Sequence, residues 1–175
     1  MRTYIKGISP EMGALSERNL PDVVFPPMLW DPEWLMPHED DLTLYTNLLR
    51  HASLGINAAS TVSLELLMHD KPVINLDFDP PGSNLPSALG YHRHIIFDHY
   101  HPVAESGAVM VARSPDDMRA TLQRGLSMPE ADSSVRRQFI QDLFDQRLDG
   151  CAGQRVAEGL LDLATRASTH KAESV

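Results

Sequence analysis

Ser60, Thr61 and Glu65 are the residues of this chain whose types and spacing best suit chemistry. They fall in INAASTVSLELLMHDKPVI, residues 56 to 74, where an apolar run ends in small residues and a helical pattern begins. The free N–H groups and positive dipole end of a helix start suit a diphosphate. Asn57, Ala58 and Ala59 are small, so a ligand could approach the backbone closely there. Glu65 lies one turn further in, and a carboxylate can accept hydrogen bonds from two neighbouring hydroxyls, the usual grip on ribose. Phosphate on the helix start and ribose on Glu65 would together make a nucleotide site. A plainer reading uses the same residues: Ser60 and Thr61 cap the helix, and Glu65 stands on a solvated face. The window alone leaves both open.

The elements that must position these residues alternate. DVVFPP (22 to 27) reads as a short strand closed by Pro26 and Pro27, and WDPEWLMPHEDD as a polar, proline-broken connection. Asp40 and Asp41 can cap a helix whose apolar face is Leu42, Tyr45, Leu48, Leu49 and Ala52. SLGINA is a strand, Ser60 to about His69 a helix, KPVINLDF a strand and PPGSNLPSALG (80 to 90) a loop. YHRHIIFDHYHPVAESG is ambiguous, and AVMVA (108 to 112) is a strand. Ser114-Pro115-Asp116-Asp117 opens a helix with a cap, a proline at the first helical position and acids in the first turn. Another helix is expected from Asp132 to Leu148 on Val135, Phe139, Leu143 and Phe144. Gly150 closes it, and a last helix starts near Ala152. The expected fold class is therefore α/β: a Rossmann-like, mainly parallel sheet flanked by helices, with a helical C-terminus. Residues 1–21 read as a weakly ordered lead-in, 22–168 as one Rossmann-like domain and 169–175 as a tail. Ligands of such sheets sit beyond the carboxyl ends of the strands, where INAAST lies.

Composition narrows the partners. A formal net charge of −9 over 175 residues, with no run of Lys and Arg, argues against a nucleic-acid partner. No segment approaches the roughly 18 apolar residues of a membrane span, and the start lacks the apolar core of a signal peptide. Cys151 is the only cysteine, which excludes an intrachain disulfide and a cysteine-based metal site. A cytoplasmic protein, at most membrane-peripheral through a partner, is the expectation. Four histidines fall in ten residues, His92, His94, His99 and His101, but without a second ligand set at helical spacing; no metal is expected. Arg93 and His99 better suit a diphosphate, as positive charge or hydrogen-bond donors, the plainer alternative being a polar loop with partly buried imidazoles. Asp77-Phe78-Asp79 could hold a divalent cation against a diphosphate, although matches of three residues are frequent.

NLLRHASLGINAASTVSLELLMHDKPVINLDFD resembles the donor-binding half of GT-B glycosyltransferases and their relatives. Among these are the UDP-N-acetylglucosamine 2-epimerases and the CDP-glycerol glycerophosphotransferases. In that pattern a strand ends in small residues and Ser or Thr, and a helix follows with a ribose-binding glutamate. A Lys-Pro pair then opens the next strand, and Glu65 and Pro72 keep the spacing. Further downstream, YHRHIIFDHYHPVAESGAVMVA and FDQRLDGCAGQRVAEGL resemble capsule- and teichoic-acid-type transferases. The resemblance implies a nucleotide-diphosphate sugar or CDP-glycerol-like donor, used in surface polysaccharide synthesis without a cofactor. Ser60, Thr61 and Glu65 would bind it, with Asn57, Asp79, Arg93 and His99 in support and Asp79 on the sugar side. It offers no catalytic residue. Two departures stand out: GT-B enzymes carry a second lobe, so this one looks incomplete at its N-terminus, and Ala58-Ala59 replaces the epimerases' Gly-Gly. A partner chain supplying the other lobe, or a homodimer, is the corresponding expectation. The alternative is a non-catalytic nucleotide-binding or assembly subunit, or a truncated fragment without activity.

Overall fold

The computed structural model describes residues 20–24, 29–31, 33–34, 36–80, 82–83, 86–145 and 147–172. The fold is α/β and Rossmann-like. Three strands, β1 (Gly55–Asn57), β2 (Val73–Leu76) and β3 (Met110–Ala112), form a parallel sheet in that order. Parallel neighbours require crossovers. Helix α2 (Val62–Met68) supplies the first, and the short helices α3 (His92–Ile96) and α4 (His101–Glu105) lie on the second. Helix α1 (Glu39–His51) precedes the sheet, while α5 (Pro115–Ser127), α6 (Ser133–Phe144) and α7 (Ala152–Ala172) follow it.

β2 is central, and Val73, Ile74 and Asn75 are all buried. Val73 joins Leu49 of α1, Leu66 and Leu67 of α2, Tyr100, Val103 of α4 and Ile140 of α6 in the main core. Ile74, alternating to the other face, is fully buried too, and α5 packs on β2 and β3. The apolar run VINL is thus covered on both faces, which is why it does not alternate. Helix α5 begins as its residues dictate, with Ser114 Oγ accepting the Asp117 N–H at 3.1 Å and Pro115 in the first turn.

Close approach of α2 to β1 depends on Gly55. A Cβ there would lie 2.1 Å from Leu66 Cδ1 and 3.2 Å from its Cγ, and Leu66 is buried. Gly55→Ala is expected to cost about 1–3 kcal/mol by overpacking, measured by urea denaturation; an unchanged midpoint would mean α2 shifts freely.

Four expectations are corrected. Asp22 turns with φ 62 and Val24 is exposed, so the described part of residues 22 to 27 is a turn closed by Val23 N–H on the Leu20 carbonyl; Pro26 and Pro27 lie outside the described residues. Helix α1 buries Asp41 and Leu49 with Tyr45 and Ala52 half-buried, while Leu42 and Leu48 face solvent. Asp41 does not cap its own helix. Its carboxylate accepts Leu29 N–H at 3.1 Å and Trp30 Nε1–H at 2.9 Å, pinning the preceding connection. Helix α6 ends at Phe144 because Asp145 adopts a left-handed φ of 45, and it buries Arg136 and Ile140 while Val135 and Leu143 stay exposed. The ambiguous segment resolves as α3 and α4.

Candidate functional site

The turn between β1 and α2 is built from inside. Asn57 and Asn75 are register partners on adjacent strands, and both side chains are buried. Asn75 Nδ2 donates to Asn57 Oδ1 and lies within reach of Ser63 Oγ, each at 3.1 Å. Tyr100 Oη lies 2.7 Å from Ser63 Oγ and 2.8 Å from Asn75 Oδ1. Burial raises the Tyr100 phenol above the ordinary tyrosine value, with its bonds to Ser63 and Asn75 pulling the other way. Asn57 Oδ1 also accepts the Ser60 N–H at 3.0 Å, so a side chain beneath the turn closes it. Asn57 thus supports the turn from below rather than facing a ligand.

Above that base, Ala59 adopts φ 53, a left-handed conformation that favours glycine and costs an alanine about 1 kcal/mol. Thr61 is the residue before α2 and is exposed, yet its side chain makes no cap bond. Among the described residues the Ser60 and Thr61 hydroxyls have no hydrogen-bond partner. Ordinary capping is therefore not what these hydroxyls do. Glu65, whose N–H bonds the Thr61 carbonyl at 3.3 Å, stands one turn further on the same face. It is half-buried, and its Oε2 accepts a bond from the Tyr45 hydroxyl of α1. Glu65 is not on a solvated face.

Asp79, expected on the sugar side, folds back instead. Its Oδ1 accepts the Tyr91 N–H at 2.8 Å, and a Cβ on Gly90 would lie 2.5 Å from Oδ2. Asp77, the other acid of Asp77-Phe78-Asp79, is engaged by bases: its Oδ1 is 2.5 Å from His92 Nδ1 and its Oδ2 3.8 Å from Arg113 Nε. Arg93 is half-buried with Nε 3.4 Å from His94 Nε2, and partial burial with Arg93 beside it holds His94 below the ordinary imidazole value. His99 is exposed and stacks on Phe97 with centroids 5.6 Å apart. The structure thus sets Thr61 and Glu65 one turn apart at the start of α2, with the Ser60 N–H held on Asn57 Oδ1. Among the described residues no hydrogen bond or ion pair joins Arg93, His99 or Asp79 to that turn.

Among the described residues no group of three His, Cys, Asp or Glu could hold a metal ion, and no helix is long and apolar enough to cross a membrane. An open groove of about 350 Å³ lies at the opposite end of α2, against α6, lined by Leu67, Met68, Ile140 and Leu148. Cys151 is exposed beside Asp149, which the Arg155 guanidinium and the Cys151 N–H hold down to about 2. No protein-family model, curated protein or solved structure matches the chain.

Proposed function

We propose that this chain is the donor-binding lobe of a GT-B-type glycosyltransferase or glycerophosphotransferase, taking a nucleotide-diphosphate sugar for surface polysaccharide synthesis. One observation carries the reading: the uncommitted Ser60 and Thr61 hydroxyls stand at the start of α2, one turn before the half-buried Glu65, at the carboxyl edge of a parallel sheet. A diphosphate at the turn would meet backbone N–H groups and two hydroxyls. Glu65 spends one oxygen on Tyr45 and keeps acceptor capacity for ribose. Backbone strain at Ala59, held by the buried network below, is of the kind that ligand-binding turns carry.

A non-catalytic subunit that completes a site with a second chain is the alternative. It is favoured by the exposed Val156, Leu160, Leu161 and Leu163 on α7, which together leave an apolar face without cover from the described residues.

Titration calorimetry with UDP, CDP and their sugar or glycerol conjugates tests the donor reading. Weak binding is expected, and Glu65→Ala should loosen it roughly 10- to 100-fold, the worth of one hydrogen bond to a charged group. Tyr45→Phe keeps the carboxylate and should bind as wild type. Equal affinity in Glu65→Ala removes the ribose contact, and no heat from any of the nucleotides removes the site.

A further inference from the structure

Helix α7 is fixed at its root and open along its length. Arg155 donates to both oxygens of Asp149, at 2.8 and 3.0 Å, and to the Arg147 carbonyl at 3.2 Å. The Cys151 N–H closes on the same carboxylate at 2.9 Å. From Ala152 to Arg166, every residue but Arg155 is exposed. Val156, Leu160 and Leu163 recur at i, i+4 and i+7 as one apolar stripe, each 63–64% exposed. The groove between α2 and α6 has the matching character. Leu67 and Ile140 form its floor, and Met68 and Leu148, 40% and 51% exposed, its rim. Its volume of about 350 Å³ suits the anchors of one amphipathic helix at that spacing. Leu148 lies only four residues before α7, yet no described residue of α7 lines the groove. Between them the chain turns at Gly150, φ 77, and the Asp149–Arg155 clamp aims the helix elsewhere.

We propose that two copies of this chain exchange these elements about a two-fold axis, each laying α7 into the α2–α6 groove of the other. Area selects this arrangement. A stable interface needs about 450 Å² of apolar surface per partner, given about 800 Å² in all and a little over half of it apolar. A side chain of this size carries on the order of 100 Å² of apolar surface, so the stripe presents roughly 200 Å². The exposed parts of Met68, Leu143 and Leu148 add roughly 150 Å² at the groove. Two α7 helices laid face to face would reach less than half the requirement. Exchange engages both patches on each copy and, with the exposed Leu161 beside the stripe, comes close to meeting it. The contact is also closed: each copy gives one helix and one groove, and neither is left over to extend a chain of copies. The association does not depend on a nucleotide site.

Analytical ultracentrifugation of the full chain tests the exchange. Wild type should sediment as a dimer at about 100 μM, where an interface of standard size is populated. Leu160→Glu alters an exposed position, so it should keep the wild-type circular dichroism while weakening association about 100-fold or more. Met68→Glu, at the groove rim, should weaken it likewise, and Leu148→Glu takes its place if Met68→Glu fails to fold. Mixed in equal amounts, the helix variant and the groove variant should regain a heterodimer, because one sound helix then meets one sound groove. Helices paired face to face would give no such rescue and would leave the groove variants dimeric. A monomeric wild type overturns the proposal and leaves α7 to a different partner. A dimer untouched by Leu160→Glu, a dimer kept by the folded groove variants, or a mixture that stays monomeric overturns it as well.

Discussion

Arg136→Met is expected to lower the stability of this protein by about 3 kcal/mol, the low end for breaking a buried ion pair. The side chain of Arg136 is 3% exposed, and its Nε donates to Asp70 Oδ1 at 2.8 Å. Its Nη2 donates to the Asp70 carbonyl at 3.1 Å and to the Pro129 carbonyl at 2.8 Å. Asp70 also accepts a bond from Ser133 Oγ. One guanidinium therefore ties α6 to the far end of α2 and to the loop before α6. Methionine retains the stem and loses every donor, leaving two carbonyls and a carboxylate short of partners. The Asp70 side chain is 28% exposed, so water relieves part of that loss, which sets the estimate at the lower bound.

Asp70→Gly separates the charge from the backbone. Asp70 has φ 53 and closes α2: its N–H bonds the Leu67 carbonyl at 2.9 Å, and Lys71 N–H bonds that of Leu66 at 3.0 Å. Glycine is the favoured residue in such a helix end, so backbone preference alone would make Asp70→Gly stabilising by about 1 kcal/mol. Because the substitution strands Arg136 in the interior, a net loss is expected instead. Arg137, exposed and 3.6 Å from Asp70 Oδ2, should cost less than about 0.5 kcal/mol when changed to alanine. Urea denaturation of the three variants measures all of this. A stabilised Asp70→Gly would show that the pair contributes nothing beyond its geometry.

That lock was invisible in the sequence, and the reason is general to this chain. Local chemistry was legible: Ser114-Pro115-Asp116-Asp117 starts α5 as its residue types require, and the apolar runs of GIN, VINL and MVA became the three strands. Small residues, Asn57, Ala58 and Ala59, marked the β1–α2 turn. Pairings across long loops were not legible, since nothing in periodicity links Asp70 to Arg136, Asp77 to His92 or Asp41 to Trp30. Periodicity also placed Leu42, Leu48, Val135 and Leu143 on core faces, but a small sheet has too little surface to cover them all. Asn57 was read as a ligand contact because a small polar residue at a strand end fits that role; the deciding fact, Asn75 and Tyr100 beside it, lies 18 residues and further along the chain.

The network around Asn75 should show the second large effect. Asn75→Ala is expected to cost about 3 kcal/mol, combining a small cavity in the central strand with polar groups left short of partners. Asn75 is fully buried and bonds Asn57, Ser63 and Tyr100, so it joins β1, α2 and the start of α4. Tyr100→Phe preserves shape and removes one hydroxyl, so it should cost about 1–3 kcal/mol, the penalty for an unpaired buried group. Each substitution deprives the same partners, and the double variant should therefore lose at least about 0.5 kcal/mol less than the sum of the two. The network also closes the β1–α2 turn through the Asn57 bond to Ser60 N–H. Loosening it should accordingly speed amide exchange at Ser60 more than at Ile74, which belongs to the ladder and not to the turn. Additive losses, or exchange that accelerates uniformly over both residues, would mean that the four side chains merely fill space and that Ala59 holds its left-handed turn without them.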